Sequence, residues 1–277
     1  MKTSRLRGFY KLPVAERIAR LQELGLLAST DASLLRDGHH VLSIGAADRM
    51  IENVIGVFGL PFAAAPNFIV NGRECVVPLV VEEPSIVAGL SSAAALTRST
   101  GGFTVESHES LLIGQVHVSG MADPDHALAA LEDAKESLLA AANAVHPRLI
   151  ERGGGVRDIE LRLFALPNGE PLLAVHVLVD TSDAMGANLV NTICEAVAPE
   201  IAATCQGRIA LRILSNLADR SLFTARARFS VPTDVGEAIV LANDIALVDP
   251  YRATTHNKGI MNGVDAVAIA TGNDWRA

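Results

Sequence analysis

The middle third of this chain constrains its fold more than any other part. Leu111 to Ser119 alternates as a strand, and Pro124 to Glu151 carries a long helical period ended by Gly153-Gly154-Gly155. Val156 to Leu166 and Pro171 to Val179 read as two strands around a Pro167-Asn168-Gly169 turn. Ser182 to Thr204 reads as a second helix ending near Gly207, and Arg208 to Leu214 as a last strand. The order βαββαβ is the split-βαβ, ferredoxin-like pattern. It predicts an inserted small domain over residues 110–216, with 1–109 and 217–277 forming one discontinuous mixed α/β large domain. The fold class expected is therefore α+β.

The flanking segments carry their own signals. Leu12 to Gly25 has a helical period with Pro13 early and Gly25 at the end. Ile69 to Val81 is apolar on both sides of Asn71-Gly72, a hairpin signature. Ser85 to Thr97 reads as a buried Ala- and Leu-rich helix. After Asp249-Pro250-Tyr251-Arg252 the chain turns polar and glycine-rich, as binding loops do. His39-His40 reads as a surface loop.

Composition excludes several functions. At 49% apolar and 19% charged residues the chain is globular, and a net charge of −8 without a basic run argues against nucleic acid. No apolar run reaches spanning length and the N-terminus lacks a signal peptide, so no membrane partner is expected. Cys75, Cys194 and Cys205 lack CxxC spacing and read as reduced thiols of a cytoplasmic protein. The histidines show no metal-binding spacing, and no metal site is expected.

Charges set in apolar sequence point to chemistry. Glu82-Glu83-Pro84 interrupts an apolar strand, Lys258 stands alone within Thr255 to Gly263, and Asp274 stands alone within Ala270 to Trp275. Lysine occurs at only four positions among 23 basic residues, so a lysine in such a setting is read for its titratable amine. Burial of such groups requires pairing or a shifted pKa, the raw material of proton transfer. A Glu, a Lys and an Asp in three such segments predict a buried acid–base network. Asp183-Ala184-Met185-Gly186-Ala187-Asn188 opens the second small-domain helix, where Ser182 or Asp183 could cap it and Gly186 lets a pyrophosphate approach.

Taken together, the motifs resemble one family. Glu52-Asn53-Val54-Ile55-Gly56, Val81-Glu82-Glu83-Pro84-Ser85, Asp183 to Asn188, Leu214-Ser215-Asn216-Leu217-Ala218-Asp219, Asp249-Pro250-Tyr251-Arg252, His256 to Gly263 and Gly272-Asn273-Asp274-Trp275-Arg276-Ala277 are similar to the class II, bacterial-type 3-hydroxy-3-methylglutaryl-coenzyme A (HMG-CoA) reductases. The resemblance implies a large domain binding the acyl-CoA and a small domain binding the nicotinamide cofactor. It implies a reversible reduction of HMG-CoA to mevalonate and free CoA by two hydride transfers. Lys258 would stabilise the oxyanion, Glu83 would supply its proton and Asp274 would lie between them. Ser85, Asn216, Arg252 and Asn262 would hold the hydroxymethylglutaryl group, and Asp183, Met185, Gly186, Asn188 and His146 the dinucleotide. A homo-oligomer with sites at its interfaces is implied.

Three departures shape the expectations. The chain ends just after the Asp274 motif, before the part of the family pattern that carries a thiolate-protonating histidine and a C-terminal flap. An alternative is therefore a truncated, catalytically incompetent CoA- or nucleotide-binding homologue. The stretch from Phe229 to Asp249 is shorter than in the family, where a helix leads into Asp249-Pro250. His146 replaces an acidic residue that would repel a 2′-phosphate; NAD(H) is expected, with NADP(H) use open.

Overall fold

The computed structural model describes residues 3–38 and 42–276, so His39 and His40 lie outside the described residues. The chain divides into two compact units: residues 1–105 with 225–277, and residues 106–224.

In the first unit, helices α1 (Val14–Glu23), α2 (Ser29–Asp37) and α3 (Ile44–Ala47) precede strands β1 (Phe62–Val70) and β2 (Arg73–Val80). The hairpin between these strands turns at Asn71 and Gly72, with φ of 48° and 74°. Two consecutive positive φ values make the tight turn that suits antiparallel twist, and Asn and Gly tolerate them best. The Asn71 side chain then bonds both the N–H and the carbonyl of Val105, tying the hairpin to β3 (Phe103–Ser110). With β8 (Ser221–Ala227), these strands form a sheet ordered β2-β1-β3-β8. The chain leaves this unit within β3 and returns within β8.

Helices α4 (Ile86–Thr97), α9 (Thr233–Val248) and α10 (Pro250–Ala270) complete the unit. Ala65, Leu79 and Ala266 form its buried centre, with Val81, Ile86, Leu90 and Val267 packed around them. The expected polar binding loop after Arg252 is instead α10, a helix of 21 residues. Asp249 caps it by accepting the Tyr251 N–H, and Pro250 sits at its first position, where the missing N–H costs nothing. Gly259 and Gly263 are therefore helical residues, not loop hinges. The helix expected before Asp249 is present in full as α9, despite the short sequence there.

The second unit holds β4 (Leu112–Ser119), α5 (Pro124–Asp133), α6 (Lys135–Ala144), α7 (Pro147–Glu151), β5 (Gly155–Ala165), β6 (Pro171–Asp180), α8 (Ala187–Cys205) and β7 (Arg208–Ser215). Its sheet runs β5-β6-β4-β7 with every neighbour antiparallel, the ferredoxin-like arrangement. Val116, Val118, Leu173, Val175 and Val177 alternate onto one face, against Leu131, Leu138, Val190, Ile193 and Ile201 of the helices. The single long helix expected from Pro124 to Glu151 is broken into three. Pro147 forbids helical geometry at His146, which sits at φ −130°, ψ 72°. The second helix starts at Ala187 rather than Ser182, because Ser182 (φ 53°) and Gly186 (φ 84°) place a turn before it.

Among the described residues no helix is long and apolar enough to cross a membrane, and no cluster of His, Cys, Asp or Glu could hold a metal ion.

Candidate functional site

Glu83 and Lys258, 175 positions apart in sequence, meet in the first unit: Lys258 Nζ donates to Glu83 Oε2 at 2.5 Å. The packing explains the encounter. Ala266 of α10 and Leu79 of β2 share the buried centre. Lys258 lies eight residues before Ala266, roughly 12 Å along a helix. Glu83 lies four residues beyond Leu79, roughly 13 Å along extended chain. A helix running against the strand direction therefore brings the two charges level. The pair is not dry, contrary to expectation: the lysine side chain is 59% exposed and the glutamate 43% in this chain.

Asp274 does not join them through the hydrogen bonds seen here. Its carboxylate accepts the Arg276 N–H at 3.0 Å and the Arg276 Nε at 3.1 Å. The backbone N–H, and then the guanidinium, hold its pKa below the usual carboxylate value. The expected three-membered network is thus a two-membered one, with the aspartate engaged by its near neighbour.

Three of the predicted substrate-binding residues lie on α10 or beside Glu83 at the start of α4. Ser85 stands at the N-cap position of α4 with φ 74° and no side-chain capping bond. A serine in left-handed geometry stores strain, and such positions cluster where function demands a fixed backbone. Asn262 is four residues after Lys258, so both share a face of α10. Arg252 is half-buried in the first turn of the same helix. Gly259 leaves open space beside the helix, since no atom lies within 4 Å of where its Cβ would be. Asn216 lies beyond β7 in the second unit, exposed.

In the second unit, Asp183, Met185, Gly186 and Asn188 lie at the entry of α8, and His146 stands at the start of α7. Gly186 is required there twice over. Its φ is 84°, and a Cβ would come within 2.6 Å of Thr181 Cγ2 and 2.8 Å of Leu112 Cδ1. No side chain caps α8, so its first-turn N–H groups are free for an anion, and Asn188 lies in that turn. Asp183 and Met185 are exposed on the preceding turn, Met185 by 75%. His146 caps no helix by its side chain, and its Nε2 is buried without a partner. An uncapped helix start entered through Gly186 is a place where an anion can approach backbone N–H groups.

Sequence reasoning overlooked one charge cluster. Glu74 on β2 accepts from Arg98 Nη2 at 2.5 Å, from the Ser4 N–H at 2.7 Å and from the Ser4 hydroxyl at 2.5 Å. Arg98 also donates to the Asn67 carbonyl at 2.9 Å. The Arg98 hydrogen bond is the largest cause holding the Glu74 pKa at about 2, with Ser4 adding to it against the opposing effect of burial. The signal was the one that flagged Glu83, an acidic residue inside an apolar strand.

The comparisons with known proteins agree with one another. The family model described as hydroxymethylglutaryl-coenzyme A reductase matches residues 13–277. The 3-hydroxy-3-methylglutaryl-coenzyme A reductase of Archaeoglobus fulgidus is 45% identical over 280 residues, covering 99% of this chain and 63% of that protein. A probable 3-hydroxy-3-methylglutaryl-coenzyme A reductase of Borreliella burgdorferi is 34% identical over 82% of this chain and 53% of its own length. The class II reductase of Streptococcus pneumoniae, solved bound to NADPH in open conformations, superposes with TM-score 0.91 at 42% identity, over 98% of this chain and 75% of that one. The chain spans less than two thirds of the length of the Archaeoglobus and Borreliella relatives.

Proposed function

The chain belongs to the hydroxymethylglutaryl-coenzyme A reductase family, and from that premise we propose that it performs the acyl-binding and charge-handling work of a reductase converting HMG-CoA to mevalonate and CoA. The observation that carries this reading is the Lys258–Glu83 contact, made by residues of two family motifs far apart in sequence.

Reduction of a thioester puts negative charge on its carbonyl oxygen, and reduction of the resulting aldehyde does so again. An ammonium aimed at that oxygen stabilises both, and this kind of stabilisation is often the largest contribution an enzyme makes. Lys258 takes that role. Glu83, already hydrogen-bonded to the amine, is within reach to move a proton to the same oxygen. Asp274 is read as a modulator of the pair once Arg276 releases it. Arg252 suits the free carboxylate of the hydroxymethylglutaryl group through its planar fork, and Ser85 and Asn262 its polar oxygens.

A nicotinamide dinucleotide would be held by Asp183, Met185, Gly186 and Asn188 at the start of α8, and supplies hydride when bound. His146 would face its adenosine ribose. An imidazole there carries no negative charge to repel a 2′-phosphate, so NADP(H) is accepted alongside NAD(H); the NADPH-bound pneumococcal relative supports this.

A cytoplasmic homo-oligomer is part of the reading. Helix α9 has no buried residue although Val240, Leu241, Leu247 and Val248 are large and apolar, and Ile55 and Phe58 are likewise exposed. Uncovered apolar area of this kind marks an association surface, and a second copy of this chain is its expected cover. The three cysteines are free, which suits a reducing compartment.

The test is NAD(P)H-dependent reduction of free mevaldehyde, a substrate that needs no thiolate protonation. Lys258→Ala is expected to lower kcat by about a hundredfold or more, the scale of losing one oxyanion donor. An unchanged rate in Lys258→Ala would refute the assignment, and absence of activity in the unaltered chain would favour the binding-only homologue.

A further inference from the structure

Although the chain is acidic overall, its first described residues build a basic pocket that the catalytic reading does not use. Arg5, Leu6, Arg7, Phe9, Leu12 and Arg20 line a cavity of about 300 Å³ in the first unit. The backbone that carries it is anchored. Ser4 is fully buried, its N–H and hydroxyl bond Glu74, and its carbonyl accepts the Asn67 N–H at 2.9 Å. Phe9 is buried, which gives the cavity an apolar wall beside its guanidinium groups.

The arginines are short of partners. None of the described residues forms an ion pair with Arg5, Arg7 or Arg17. Arg20 pairs only with Glu23, at 3.3 Å on the open side of α1, where both groups are more than half exposed. Arg17, one turn before Arg20 on α1, donates to the Tyr10 carbonyl at 2.9 Å while its Nε is buried without any partner. Lys11 lies 5.7 Å from the centre of the Tyr10 ring. Along this segment the only carboxylates are Glu16 and Glu23, and Glu74, which bonds Ser4, is already paired with Arg98, so the cations of the segment outnumber its anions. Gathering like charges without a counter-charge is unfavourable, and an anion relieves it.

We propose that this pocket binds a phosphate-bearing ligand, with Arg5, Arg7 and Arg20 taking the phosphate oxygens and Leu6, Phe9 and Leu12 the apolar group attached to it. Guanidinium forks match phosphate oxygens two at a time. The volume is at the small end of ligand sites and admits a phosphoester with one ring, not a whole dinucleotide. Two sources share this chemistry: the phosphoester of the coenzyme A carrier, which rests on the function proposed above, and a free phosphate-bearing metabolite, which does not.

Calorimetric titration with tripolyphosphate, coenzyme A and dephospho-coenzyme A separates them. The unaltered protein is expected to bind tripolyphosphate saturably, and Arg5→Ser/Arg7→Ser to weaken it by about tenfold or more with an unchanged melting temperature, since both side chains are exposed. If the double variant also erases a preference for coenzyme A over dephospho-coenzyme A, the carrier is the source. If that preference is untouched, the ligand is the free metabolite. No saturable tripolyphosphate binding, or equal affinity in the variant, overturns the proposal. Lys258→Ala should leave tripolyphosphate affinity unchanged, so failure of the catalytic reading and failure of the pocket are seen separately.

Discussion

Replacing Glu74 by Gln should remove a pH-dependent part of this protein's stability while keeping the shape of the side chain. The carboxylate is 15% exposed and its Arg98 partner 16%, so solvent screens the pair little. At about 1.4 kcal/mol per pKa unit, the fall from 4.5 to about 2 corresponds to about 3 kcal/mol of stabilisation by the ionised form. The direction follows from linkage: a carboxyl depressed in the folded state binds protons more readily when unfolded. Its contribution is complete above the unfolded value of 4.5 and is lost as pH falls towards about 2.

Urea unfolding followed by circular dichroism should therefore show Glu74→Gln less stable by about 2–3 kcal/mol at pH 7, with the two proteins converging below pH 3. Arg98→Met should cost more, about 3–5 kcal/mol, because it strands a buried carboxylate and the Asn67 carbonyl together. A stability difference for Glu74→Gln that stays constant from pH 7 to pH 3 would refute the reasoning. It would mean that packing, not charge, explains the effect.

Other outcomes follow from the second unit. Gly186→Ala must hold an alanine at φ 84° against Thr181 and Leu112; it should lose about 2 kcal/mol or more, and NADPH affinity measured by fluorescence should fall with it. Normal affinity at a normal melting temperature would sink that view. His176 is buried on β6, with Nε2 2.9 Å from Gln115 Nε2, and burial foremost pushes its pKa down, aided by Arg162. Glu160, His117, Arg162 and Asp219 are the charged and titratable groups acting on it. The unfolded chain then takes the proton first, so stability should drop as pH falls below 6.5, and His176→Gln should flatten that slope between pH 7 and 5. An equal slope in the variant would count against it. The Cys194 thiol is fully buried and pushed up to about 12. Mass spectrometry after iodoacetamide treatment should find half-buried Cys75 alkylated well before Cys194, and Cys194 only in urea; the reverse order would contradict this.

Much of the fold was legible because its signals are local. The βαββαβ order could be read from alternation in β4, β5 and β6 and from the Pro167-Asn168-Gly169 turn, where the Gly169 N–H returns to the Leu166 carbonyl. Where structure and sequence pattern differ, a local signal competes with the apolar period. Pro147 marks the break between α6 and α7, although the apolar period continues through it. Asp249-Pro250 is a helix start, yet the glycines and polar residues after it have the composition of a loop. A glycine in a helix costs about 1 kcal/mol, which tertiary packing of α10 on β2 easily outweighs.

The candidate site divides along the same line. Spacing in the chain singles out Glu83, Lys258 and Asp274 as charges in apolar surroundings, and Gly186 as a glycine at a helix entrance. Which charges meet is a matter of packing, because a contact across 175 residues depends on how far α10 slides along β2. Burial is decided there too. An apolar neighbourhood in sequence becomes a dry one only when another surface covers it, and for Lys258 and Glu83 that cover is not supplied by the residues beside them in the chain. Sequence determined the identities and intervals of the reactive groups; tertiary structure decided their partners and their contact with water, since both are properties of surfaces brought together from distant segments.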